Sequence, residues 1–62
     1  MMTGDRVTYS DGFKSEKGIV KSLCENPDYV FVVYYCADKW ADYKNYTSAR
    51  TWVGDLKKGW PE

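Results

Sequence analysis

The sequence predicts an all-β fold of four to five short antiparallel strands in a single domain, and three observations carry this prediction. Runs of β-branched and aromatic residues are separated by turn residues throughout the chain. No linker, repeat or low-complexity segment divides it. At 62 residues it is also too short for two cores. We therefore treat residues 1–62 as one domain.

The first two strands are predicted at residues 6–9 and 16–24. In the first, Val7 and Tyr9 alternate with polar neighbours, and turn residues follow. In the second, Gly18 interrupts a β pattern, which usually marks a bulge or a sharp bend where a small sheet curls. We therefore expect the sheet to curl at Gly18.

The third strand, residues 29–36, is the strongest β signal in the chain because it is almost wholly β-branched and aromatic. A connection at residues 25–28, with Pro27 fixing a turn position, joins it to the second strand. Both faces of the strand are apolar, so we expect packing on each side. The resulting register pairs Leu23 with Val30, Lys21 with Val32, and Ile19 with Tyr34.

Cys24 and Cys36 are predicted to be free thiols. The register places them at opposite ends of the hairpin, roughly 23 Å apart at ~3.3 Å per residue. A disulfide needs Cα atoms within about 7 Å. The chain contains no His, and its two cysteines form no CxxC pair. No metal or cofactor is therefore expected.

The rest of the chain is predicted to hold a long aromatic loop, a fourth strand and a closing segment. The loop begins with a helical turn capped by Asp38. The fourth strand covers residues 49–53, and Gly54 with Asp55 forms the next turn. Leu56 then plugs one end of the sheet, and residues 57–60 add a short closing strand before Pro61.

The interior of so small a domain is too small to hold all of its aromatic rings. Its expected apolar residues are Val7, Ile19, Val20, Leu23, Val30, Val32, Val53 and Leu56. Four rings join them because they alternate with strand periodicity: Tyr9, Phe31, Tyr34 and Trp60. Aromatic residues form 18% of the chain, and each ring buries about 150 to 250 Å². Some of the remaining rings are therefore displayed on the surface.

The candidate partner-binding residues lie in the loop and in the fourth strand. For Trp40, Tyr43 and Tyr46 two interpretations stay open, a structural mini-core over one end of the sheet or a ring-lined contact surface. In the fourth strand, Val53 fits the inner face better, which leaves Trp52 and Arg50 together on the outer face. These five residues are the predicted site.

Charge, targeting signals and catalytic motifs narrow the functional classes. Nine basic residues balance nine acidic ones, so no global field draws the chain to phosphates or anionic lipid. We expect a soluble, cytoplasmic protein, because no signal-peptide h-region or membrane-length apolar run is present. Nucleophile triads, phosphate-cradling glycine loops and paired carboxylates are also absent from the pattern. A non-enzymatic protein is therefore predicted.

The pattern resembles the SH3-like small β-barrels of the KOW and Tudor type. The segments that carry the resemblance are GDRV at 4–7, KGIVKSL at 17–23, YVFVVYY at 29–35 and DL at 55–56. More narrowly, the succession of VVYYC, W, YKNYT, RT and DLKKGW is similar to small proteins encoded by bacteriophages and prophages. This resemblance implies a fold and a genomic setting, and it implies no activity and no functional residue.

Three functional classes follow, all non-catalytic. The preferred one is a protein-binding module that uses the exposed rings. The second is nucleic-acid binding, in which rings stack on bases while Lys39, Lys44, Arg50, Lys57 and Lys58 meet phosphates. The third is a self-associating structural or assembly protein, for which a homodimer is expected. No class involves a membrane.

Overall fold

The computed structural model describes residues 1–61 and has five antiparallel strands in one sheet. The strands are β1 (Arg6–Ser10), β2 (Ser15–Leu23), β3 (Tyr29–Val33), β4 (Ala49–Trp52) and β5 (Leu56–Lys58). Their order in the sheet is β4-β3-β2-β1-β5, so β4 and β5 are its edges. The all-β prediction is confirmed. The strand boundaries agree with the predicted ones to within a residue or two, except at the end of β3.

The turn between β1 and β2 is organised by one carboxylate. Asp11 Oδ1 accepts hydrogen bonds from the backbone N–H groups of Phe13, at 2.9 Å, and Lys14, at 3.0 Å. These two bonds lower the pKa of the Asp11 carboxyl below its usual value. Gly12 supplies the positive φ of 92° that this turn requires. The Phe13 side chain projects from the tip and is 98% exposed.

A β-bulge at Lys21 changes the predicted register between β2 and β3. The pairing of Leu23 with Val30 is confirmed. The other two predicted pairs are wrong, because the ladder shifts by one residue between Val20 and Ser22. The observed pairs beyond the bulge are Val20 with Val32 and Ile19 with Val33.

Gly18 lies where residues of β3 come close to the backbone of β2. A Cβ atom placed on Gly18 would lie 2.5 Å from Cγ1 of Val32 and 3.0 Å from the carbonyl oxygen of Val33. The ladder continues through this residue, which pairs with Val7 of β1. The irregularity expected here is thus a close backbone approach, and the bulge lies three residues further along.

The main core lies on one face of the sheet. Its buried cluster consists of Val7, Val20, Val30, Val32 and Leu56, and Met1, Tyr9, Tyr34 and Val53 pack against it. The prediction for Leu23 is wrong. Its side chain is 56% exposed, because it ends β2 beside the turn. Phe31 and Trp60, which were also predicted to be core, are half-buried.

A second group of buried residues lies outside this cluster. Ile19 and Val33 pair across β2 and β3, and both are buried. Because they alternate with Val20 and Val32, they face the opposite side of the sheet. Cys36 is buried as well, at 1% exposure. The apolar alternation of β3 therefore reflects packing on both faces, as expected from its sequence.

β3 ends at Val33, three residues before its predicted end. The chain turns at Ala37 and Asp38, which both adopt a positive φ, 52° and 62° respectively. The strand ends before this turn because Val33 is the last residue of β3 that pairs with β2, and Val32 is the last that pairs with β4. Cys24 is half-buried, and both cysteines are free thiols.

The predicted helical turn is present as a 3₁₀ segment, Trp40–Asn45. Asp38 does not cap it, so this part of the prediction is wrong. The N-cap residue is Lys39, and no side chain bonds to the helix start. The segment packs against β2. Within residues 1–61, no helix is long and apolar enough to cross a membrane.

The closing strand begins at Leu56 and ends at Lys58, earlier than predicted. A short 3₁₀ turn, Val53–Asp55, precedes it. The strand ends because Gly59 adopts a φ of 90°. Beyond this turn Trp60 reaches back to β2, where its indole N–H donates a hydrogen bond of 2.9 Å to the carbonyl oxygen of Gly18.

Candidate binding surface

Trp40, Tyr43 and Tyr46 are all half-buried in the segment that packs against β2. The Trp40 ring packs on Trp60, with centroids 4.9 Å apart. Lys21 is the bulge residue of β2. Its ammonium group donates a hydrogen bond of 2.8 Å to the carbonyl oxygen of Tyr46. These contacts fix the segment to the sheet. Each ring still keeps part of its surface exposed.

Trp52 and Arg50 lie together on the exposed face of β4, as predicted. Trp52 pairs with Tyr29 and Arg50 pairs with Phe31, so the four side chains share one face of this edge. The Arg50 guanidinium lies 4.1 Å above the centroid of the Tyr29 ring. Val53 packs against the core, also as predicted.

The Trp52 indole is displayed in a defined position. It remains 52% exposed. The ring lies over Gly54, so close that a Cβ atom on that glycine would collide with it. Because the glycine offers a flat surface, the indole rests on the turn that follows β4 instead of extending into solvent.

An open cavity of about 300 Å³ adjoins this indole. Three rings line it, those of Tyr9, Tyr34 and Trp52, together with Glu16, Arg50, Thr51 and Asp55. Tyr9 and Tyr34 meet edge to face, with centroids 6.0 Å apart and an interplanar angle of 74°. The predicted pair Arg50 and Trp52 is therefore joined by two tyrosines that sequence reasoning assigned to the core.

Strand periodicity could not identify Tyr9 and Tyr34 as lining residues. Alternation places both on the core-facing side, which is correct. It does not show that they lie at the rim of the core, where each ring packs inward with one part and faces the cavity with the other. Their position one residue from the end of a strand, or just beyond it, is the only signal available.

The surroundings of the cavity shift the pKa of Tyr34. Burial raises the pKa of its phenol above the usual 10.0, and the nearby Tyr9, Glu16 and Asp55 raise it further. A hydrogen bond of 2.8 Å between the hydroxyls of Tyr34 and Thr51 acts in the opposite direction. Ionisation of the Tyr34 phenol is therefore disfavoured, chiefly by its burial.

This pKa shift predicts a pH dependence of stability. Folding raises the Tyr34 pKa, so the unfolded chain loses this proton at lower pH than the folded chain does. Stability should therefore fall as the pH rises above 10.0. Tyr34→Phe is expected to make this fall above pH 10.0 shallower, measured by urea unfolding. Tyr35→Phe, at a 76% exposed side chain, is the control, and equal slopes for both variants would contradict the interpretation.

Comparison with protein-family models, with curated proteins and with solved structures finds no match for this chain. Residues 1–61 contain no group of three or more His, Cys, Asp or Glu that could hold a metal ion. Fold and site together define a small antiparallel all-β domain with an aromatic cavity at the β4 edge.

Proposed function

We propose that this chain is a small non-catalytic module that binds a segment of another protein at the cavity beside Trp52. The observation that carries the proposal is the half-exposed indole, which rests on Gly54 at the rim of an aromatic cavity. A large ring that is already ordered before binding loses little conformational entropy when a partner covers it. Tryptophan and tyrosine are also the residues that dominate interface energies.

The chemistry of the cavity favours a partner side chain that is cationic or donates hydrogen bonds. Glu16 and Asp55 contribute carboxylates, and the tyrosine rings contribute π faces that attract cations. The positive charge of Arg50 is directed onto Tyr29. A lysine or arginine in an extended segment fits these features better than an acidic residue does.

The proposed scaffold is an SH3-like barrel. The strand order β4-β3-β2-β1-β5 supports this, as do the close approach at Gly18 and the bulge at Lys21, two devices that curl a small sheet. Contact of the partner with Trp40, Tyr43 and Tyr46 stays a prediction, as do the cytoplasmic location and the phage or prophage setting.

Selection from a displayed random peptide library tests the proposed site without knowledge of the natural partner. The wild-type domain is expected to select peptides that contain lysine or arginine. Trp52→Ala should weaken their binding by about tenfold or more, which is the loss typical of a central interface tryptophan. Binding of individual synthetic peptides is measured by isothermal titration calorimetry.

The matched control is Tyr35→Ala, which removes an exposed ring outside the cavity. Its affinity for the selected peptides should equal that of the wild type. Peptides that bind Trp52→Ala as tightly as the wild type would refute the proposed site. Sedimentation of the free domain tests the alternative of a self-associating protein, for which a stable dimer would replace the monomer expected here.

A further inference from the structure

The neutral net charge of the chain conceals a basic surface. Successive residues of a strand point to opposite faces, so the sheet separates neighbours of opposite charge. Glu16 pairs with Tyr9 on the core-facing side, whereas Lys17 pairs with Thr8 on the outer side. Thr8 also pairs with Lys57 on its other flank. Lys17, Thr8 and Lys57 thus form one row across β2, β1 and β5.

The outer face of these three strands carries only positive charge among the residues described. Its strand positions are Arg6, Thr8, Ser10, Ser15, Lys17, Ile19 and Lys57. The carboxylates of Glu16 and Asp55 lie instead in the cavity beside Trp52. We call this outer surface, together with Trp60, the basic face.

Trp60 organises the cations of the basic face. The Arg6 guanidinium lies 4.7 Å from the centroid of its ring, and the Lys17 ammonium lies 5.4 Å away. The ring itself is held by its N–H bond to Gly18 and by packing on Trp40. Two exposed cations are therefore positioned on a fixed ring, which reduces the side-chain entropy lost when they bind a ligand.

A groove of about 370 Å³ runs along the same face. Its lining combines the hydroxyls of Thr8, Ser10 and Ser15 with Lys57, Lys58 and Trp60. Hydroxyl and ammonium groups are the usual donors to phosphate oxygens. The Thr8 hydroxyl already donates a hydrogen bond of 2.7 Å to the carbonyl oxygen of Gly59, so the free donors are those of the two serines and the two lysines. No carboxylate lines this groove within residues 1–61.

We propose that the basic face binds single-stranded nucleic acid. The lysines meet backbone phosphates, and the Arg6 guanidinium, held over Trp60, offers a plane on which an unpaired base can stack. Charge complementarity selects a polyanion, and the combination of a planar cation with a hydroxyl-lined groove favours a strand with exposed bases over a lipid surface. This site shares no lining residue with the proposed peptide site, and its residues on β1 and β2 lie on the face opposite to Tyr9 and Glu16.

Three of the cations expected from the sequence to meet phosphates take no part in this surface. Arg50 is on β4 and rests on Tyr29. Lys39 and Lys44 flank or lie within the 3₁₀ segment, outside the groove lining. Lys17 belongs to this surface because pairing through Thr8 brings it into line with Lys57, and Arg6 belongs to it at the next outward position of β1.

The test is fluorescence anisotropy with a labelled fifteen-nucleotide oligothymidylate. With about four phosphate contacts, the logarithm of the affinity should fall against the logarithm of the salt concentration with a slope of about −2.8, so raising the salt from about 50 to 200 mM weakens binding roughly fifty-fold. The double variant Lys17→Gln with Lys57→Gln should flatten this slope by about 1.4 and weaken binding at low salt by about tenfold or more.

The matched control removes the same charge elsewhere, by Lys44→Gln with Arg50→Gln. It should change the affinity by less than about twofold, because neither residue lies in the groove. Equal losses in both double variants would overturn the proposal, as would the absence of binding at 50 mM salt. An abasic strand should bind at least about fivefold more weakly, since stacking contributes about 1 kcal/mol or more per base.

Two further measurements distinguish nucleic-acid binding at the basic face from other interpretations of this surface. Binding to vesicles of anionic phospholipid in place of the oligonucleotide would identify a membrane-docking face and overturn the proposal. Trp52→Ala should bind the oligonucleotide like the wild type. If that variant lost both peptide binding and oligonucleotide binding, the two ligands would share one site, which would contradict the proposal of two separate sites.

Discussion

Gly18→Ala is expected to remove a large part of the stability of the domain. The added Cβ atom would lie 2.5 Å from Cγ1 of Val32 and 3.0 Å from the carbonyl oxygen of Val33. Val32 is fully buried in the core, and the oxygen belongs to the backbone, so neither can move away without shifting β3. Overpacking of this kind costs about 1 to 3 kcal/mol or more. A domain of this size has only about 3 to 5 kcal/mol of stability.

Urea unfolding followed by circular dichroism measures this loss, and Gly54→Ala is the control. At Gly54 the three atoms nearest to the new Cβ atom all belong to the half-exposed Trp52 indole, which can be displaced towards solvent without shifting a strand. Neither glycine has a positive φ, so the two substitutions differ chiefly in what the methyl group meets. Equal stability losses in the two variants would show that β3 does not close over β2 as described.

Trp60→Ala is expected to have the next largest effect on stability. The substitution removes the ring that packs on Trp40 and the N–H donor to the carbonyl oxygen of Gly18. Because Gly18 is buried, its oxygen would lose this partner without easy access to water. For a half-buried ring we expect a loss of about 2 kcal/mol, roughly half the cost of truncating a core aromatic residue.

Trp60→Phe separates the two contributions of Trp60, because it keeps a ring and removes the N–H group. Its stability, from urea unfolding, should fall between those of the wild type and Trp60→Ala. If Trp60→Ala were as stable as the wild type, Trp60 would not fix the segment around Trp40, and the ordering of Arg6 and Lys17 on its ring would lose its support.

Local pattern was sufficient to predict most of the fold. The alternation of Val7 and Tyr9, the β-branched run of β3 and the turn residues around Pro27 each placed a strand or connection correctly. These signals depend on backbone preference and on the period of two, both of which are visible in a single sequence. The outward position of Trp52 followed from the same period.

Two local features had no signal in the sequence. Lys21 forms the bulge, although lysine has no preference for that position, and the resulting shift made two predicted pairs wrong. Ala37 and Asp38 adopt a positive φ, which is uncommon for residues other than glycine, so the turn they form after β3 was not expected. In both cases tertiary packing overrides the local preference of the chain.

The candidate sites depend on contacts between distant residues. Trp60 reaches Gly18, 42 positions earlier in the chain, and Lys17 and Lys57 share a row only because both pair with Thr8. The net charge of the chain is zero. The alternation of side chains along β2 nevertheless places Glu16 and Lys17 on opposite faces of the sheet. Such segregation becomes visible only when the register of all three strands is known.

The tryptophans divide into two that hold the domain together, Trp40 and Trp60, and one that is displayed, Trp52. Urea unfolding of Trp52→Ala beside Trp60→Ala tests this division. We predict that Trp52→Ala lowers the free energy of unfolding by less than about 1 kcal/mol, as is usual for exposed side chains, and that Trp60→Ala lowers it by about twice as much or more. A loss in Trp52→Ala equal to or greater than that in Trp60→Ala would contradict the account.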